Sequence, residues 1–105
     1  MTTTNRRCRE KFHEALHRLA VAEGDVRCRL KGAYRPLRSL SENEVPEGLR
    51  PEWAAILNAL TRHGPELSTD GTLYQTAIDH TMSRIKNSTG RAMAERIYNL
   101  CLQID

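Results

Sequence analysis

The sequence predicts a mainly α protein: a small single-domain helical bundle of about four helices, with a short β-hairpin or extended basic arm near residues 26–37. Three observations predict it. Apolar residues recur at three- and four-residue spacing through most of the chain. Caps and glycine or proline breaks fall between those runs. A chain of 105 residues normally builds one core, which makes residues 1–105 one domain.

The first helix is expected at about 5–23, because Cys8, Phe12, Ala15, Leu16 and Leu19 fall on one stripe. Asn5 or Thr4 caps it and Gly24 stops it. From Val26 the pattern alternates, with Val26, Cys28 and Leu30 set against Arg27, Arg29 and Lys31, followed by Lys31-Gly32 and a second short run. That reads as a hairpin or extended arm with Pro36 on an edge. The four-residue step from Val26 to Leu30 keeps a short helix as the alternative. Residues 40–51 form the connector, in which Ser41-Glu42-Asn43-Glu44 has capping-box spacing and Pro46 ends the turn.

Pro51 opens the next helix, expected at 51–63, which buries Trp53, Ile56, Leu57 and Leu60 and ends at His63-Gly64-Pro65. Ser68-Thr69-Asp70-Gly71 supplies caps for a helix at 72–86 carrying Tyr74, Ala77, Ile78, Met82 and Ile85 on one side. Asn87-Ser88 caps the last, at 89–104, with Met93, Ile97, Leu100, Cys101 and Ile104. So short a link between the last two predicts an antiparallel helical hairpin.

Charge is unevenly spread. Residues 1–38 hold ten Lys or Arg against four acids, and residues 39–105 hold six against nine. The longest apolar run, Trp53 to Leu57, is far short of the roughly 20 residues that cross a bilayer, so no membrane partner is expected. The first residues lack an apolar signal region, so the chain is expected in a reducing cytoplasm, with Cys8, Cys28 and Cys101 as thiols.

Catalytic constellations are not apparent. Cys8 lies in the apolar stripe, five residues from His13 and on a different face, where a buried inert thiol is the usual occupant. The six glycines are isolated, so no phosphate loop forms. Glu42, Glu44, Glu47 and Glu52 read as solvated acids of a connector. His13-Glu14-Ala15-Leu16-His17 matches the H-E-x-x-H pattern of zinc peptidases and resembles them over these five residues. The resemblance implies zinc on His13 and His17, with Glu14 activating water. Such enzymes need a third ligand and a substrate cleft, and Arg9, Lys11 and Arg18 oppose a cation, so two solvated histidines are expected, with no metal and no cofactor. His63 is expected as a charged cap at a helix end, His80 at a helix edge and Trp53 as a core anchor.

These features point to a non-enzymatic protein that docks stoichiometrically onto an acidic protein partner, as an inhibitor, adaptor or regulatory subunit. A bacterial or phage accessory factor has this style. The expected binding surface is Arg6, Arg7, Arg9, Lys11, Arg27, Arg29, Lys31, Tyr34, Arg35 and Arg38. Arg27, Arg29 and Lys31 lead it, since strand alternation aims all three away from the apolar positions. Arg outnumbers Lys thirteen to three, which suits bidentate contacts to carboxylates and equally to phosphates. The alternative is therefore a nucleic-acid-binding module, with Tyr34 stacking on a base.

Overall fold

In the computed structural model, which describes residues 6–104, the chain forms five α-helices and one two-stranded antiparallel sheet. The helices are α1 (Arg6–Val21), α2 (Val26–Arg38), α3 (Arg50–Leu60), α4 (Ala77–Arg84) and α5 (Asn87–Leu102). The strands are β1 (Glu66–Leu67) and β2 (Leu73–Gln75), between α3 and α4. Two 3-10 turns, Glu42–Glu44 and Glu47–Leu49, fill the connector.

α1 buries Cys8, Phe12 and Ala15, as its apolar stripe requires, with Leu16 and Leu19 packed at the margin. The proposed caps Thr4 and Asn5 lie outside the described residues. Gly24 makes the turn into α2 with a φ of +96°, a conformation that L side chains rarely adopt. The chain then runs back along α1, so that Arg18 packs over Gly32 and the Arg29 guanidinium reaches the Leu19 carbonyl.

The hairpin or extended arm expected at 26–37 is instead α2. Asp25 caps it, its carboxylate accepting from the Arg27 and Cys28 amides. The alternation over 26–31 is shorter than the helical pattern that contains it: Val26, Leu30, Ala33 and Leu37 step by four, three and four and are all buried. Thirteen residues of helical periodicity outweigh six of alternation. Pro36 stands in the last turn, four residues after Gly32. Of the expected alternatives, the helix is the one that forms.

The single helix expected at 72–86 is replaced by β2 and α4. Ser68-Thr69-Asp70-Gly71 makes the hairpin turn rather than a helix cap: the Asp70 carboxylate accepts from the Thr72 amide at 3.0 Å and from its hydroxyl at 2.7 Å, and Gly71 has a φ of +88°. Those hydroxyls, Ser68 first and then Thr72, hold the Asp70 carboxyl down at about 2. Tyr74, expected on a buried helical face, is an exposed residue of β2. The cap of α4 is Thr76, whose hydroxyl accepts from the Asp79 amide. The expected antiparallel hairpin of α4 with the last helix does not form, because α4 does not pack along α5. α4 packs on α2 and α3, and α5 packs on α1, α2 and α3.

α3 has Pro51 in its first turn as expected, but starts with Arg50 and ends at Leu60. α5 begins at Asn87, with Lys86 rather than Asn87 or Ser88 at the cap position. Trp53 is buried and donates its indole N–H to the Leu37 carbonyl, which ties α3 to the end of α2. One cluster of buried residues draws on all five helices. Gly90 permits the close approach of α5 to α2, since a Cβ there would come within 3.0 Å of Val26. Across the surface of α3 and α5, Arg96 grips Glu52 with two hydrogen bonds of 2.8 and 3.0 Å. Among the described residues, no helix is long and apolar enough to cross a membrane.

Candidate functional site: a cationic cleft beside the hairpin

The ten residues expected to form one binding surface fall into three groups. On α1, Arg6 pairs with Glu10 one turn on, and Lys11 lies 3.9 Å from Glu14. Arg7 is bound to Glu44 at 2.7 and 2.9 Å and also donates to the Ser39 carbonyl. Glu44 completes the capping box with Ser41 as its sequence spacing predicts. The Ser41 amide, with Arg7 and the Ser41 hydroxyl, lowers its carboxyl from 4.5 to about 2. Arg9 is exposed.

The second group is Arg27, Arg29 and Lys31. In a helix they do not share a face, because Arg29 lies about 200° around the axis from Arg27. The structure disperses them. Arg27 pairs with Asp25 at 3.0 Å and donates to the Ile85 carbonyl at 3.2 Å, bracing the end of α4. Arg29 turns toward α1 and donates to the Leu19 carbonyl at 2.9 Å, its Nε buried without a partner. Lys31 lies 3.4 Å from Asp79 of α4. These cations join helices, and the aim outward that strand alternation implied is not found.

The third group, Tyr34, Arg35 and Arg38, occupies the last turns of α2. Together with Lys31 it forms one wall of a cleft of about 480 Å³. Pro65, Leu73, Thr76 and Ile78, from the hairpin and the start of α4, form the other, with Asp79 at the Lys31 end. Lys31 and Arg35 also border a smaller hollow of about 200 Å³, shared with Glu14 and Arg18 of α1. Arg35 and Arg38 are exposed and neither has an ion pair among the described residues. The Arg38 guanidinium lies 6.0 Å from the centre of the half-buried Tyr34 ring. Leu67, Leu73 and Tyr74 of the hairpin are at least 60% exposed, and the bonds from Thr72 to Asp70 fix its turn.

The apolar wall is the part that sequence reasoning missed. Its signal was present: Asp70-Gly71 between Glu66-Leu67 and Leu73-Tyr74 is a turn dipeptide between two short apolar-containing runs.

Other candidates do not join this cleft. His13 and His17 are exposed, and no cluster of three His, Cys, Asp or Glu side chains suited to a metal occurs among the described residues. Burial raises the Cys8 thiol, and burial with the neighbouring Cys8 pushes Cys101 up to about 11, so neither is a ready nucleophile at neutral pH. Cys101 donates to the Phe12 carbonyl, and Cys28 is exposed. His63 differs from the expected charged cap. Desolvation, then Arg62, His80 and Arg84, lower its pKa and favour the neutral ring. His80 stands 5.7 Å from it between the Gly64 carbonyl and the Arg84 side chain. Compared with known proteins, the chain matches no family model, no curated protein and no solved structure.

Proposed function

We propose that the protein acts without catalysis, by stoichiometric docking onto an acidic protein partner, and that the contact centres on the cleft between α2 and the hairpin. The observation that carries this reading is the pairing of cations with apolar surface: Arg35 and Arg38, without carboxylate partners among the described residues, stand opposite Leu73 and Ile78. A protein surface offers carboxylates and apolar side chains together, whereas a phosphate backbone uses only the first wall. Arginine suits the task because its fork binds a carboxylate through two hydrogen bonds. Opposite charge also speeds encounter and favours acidic partners over others.

The test is recovery of a partner from nuclease-treated host lysate at moderate salt, with the native chain and with an Arg35→Glu/Arg38→Glu variant. The reading expects one acidic protein in near-equal amount with the native chain and its loss with the variant. Equal recovery by both contradicts it. Salt-sensitive binding of random DNA or RNA by the native chain alone, with no protein recovered, would replace it with the nucleic-acid reading.

A further inference from the structure

We infer that the cleft takes an extended segment in which acidic and apolar residues alternate; this rests on the docking reading and specifies the ligand of the same site. Three features of the cleft carry it. The walls differ in chemistry, cations on α2 and apolar side chains on the hairpin and α4. A chain lying between them must show a different face to each side, and an extended chain does so by alternating its side chains.

Spacing is the second feature. Lys31, Arg35 and Arg38 lie along one side of α2 over a rise of about 10.5 Å. An extended chain repeats its same-face side chains every 6.6 Å or so, so two carboxylates of one face fall within the length that these cations span.

The third feature is β2 itself. It pairs with β1 on one edge, and among the described residues no other strand pairs with it. Its residue Leu73 borders the cleft. An open edge beside a cleft is a template for an added strand.

Asp79 sets the distribution of charge within the site. Held 3.4 Å from Lys31, it offsets that cation and leaves Arg35 and Arg38 as the attracting pair. A ligand carboxylate near Lys31 must compete with Asp79. Replacing this acid therefore strengthens binding.

The experiment uses the full chain and four fluorescent probes: a heptapeptide alternating Asp with Val and Leu, a peptide of the same residues with the acids in one block, oligo-aspartate of equal length, and an eight-nucleotide oligo-dT. Fluorescence anisotropy should show the alternating peptide binding at least tenfold tighter than the other three. Arg35→Glu/Arg38→Glu and, separately, Leu73→Asp should each weaken it tenfold or more with helical circular dichroism unchanged. Asp79→Asn should tighten it severalfold. Equal binding of the alternating and block peptides overturns the extended-segment inference while leaving acidic docking in place. Binding of oligo-dT with no binding of any acidic peptide overturns both, and no binding of the alternating peptide overturns the inference.

Discussion

The two halves of α2 carry the same kind of side chain and use it differently. Toward its start, Arg27 and Arg29 end on the Ile85 and Leu19 carbonyls and Lys31 meets Asp79. Toward its end, Arg35 and Arg38 face solvent at the mouth of a cleft. The difference follows from what surrounds each half. The first half lies between α1 and the end of α4, where helix-terminal carbonyls need donors. The second half faces the cleft, whose other wall is largely apolar, with Pro65, Leu73 and Ile78. A count of arginines cannot separate mortar from recognition surface; the partners of each guanidinium can.

The largest effect expected from this contrast is on stability. Arg27→Ala combined with Arg29→Ala removes two charge-assisted hydrogen bonds to backbone carbonyls and should cost roughly 3 kcal/mol. In a domain of this size that lowers the melting temperature by roughly 15 °C, readable by thermal circular dichroism. A loss under about 0.5 kcal/mol would show that these residues are surface decoration and remove the contrast.

The turn that sets α2 against α1 should be the next most sensitive point. Gly24→Ala forces a side chain into a φ of +96° and a Cβ to within 2.8 Å of Cys28. A loss of about 1–2 kcal/mol is expected in urea denaturation.

Acid should act on the fold in two stages. The Asp70 and Glu44 carboxyls both lie at about 2, below their ordinary 3.8 and 4.5, so each stabilises the fold above the unfolded value. That contribution fades as pH falls from those values through about 2. His63 adds an earlier effect in the same direction. Its lowered pKa means that the unfolded chain takes the proton more readily, so stability begins to decline as pH falls below 6.5. Melting temperatures from pH 8 to pH 2 should fall in these two stages, and His63→Gln should flatten the first.

The same contrast explains what was legible in the sequence. The face of α1, the capping box at Ser41 and Glu44, the helix with Pro51 in its first turn and the buried side of α5 follow from local chemistry, so periodicity and caps find them. Over α2, Val26 to Lys31 imitate strand alternation, while the positions that decide the matter, Ala33 and Leu37, lie farther along. The hairpin escapes periodicity because Asp70 and Ser68 are also good helix caps, and its strands, of two and three residues, are too short to show an alternation that would select the turn. Four of the ten expected binding residues, Lys31, Tyr34, Arg35 and Arg38, meet in one cleft. Which cations remain free depends on acids and carbonyls distant in sequence, such as Glu44, Asp79 and Ile85.

The smallest expected change in stability belongs to the residues with the largest expected role. The most direct measurement is therefore thermal unfolding and affinity for the alternating acidic peptide, both taken on Arg35→Glu/Arg38→Glu. Exposed substitutions of this kind move stability by less than about 0.5 kcal/mol each, so the melting temperature should stay within a few degrees of the native value while affinity falls tenfold or more. Native affinity in a folded variant would contradict the assignment of the end of α2 as the recognition surface.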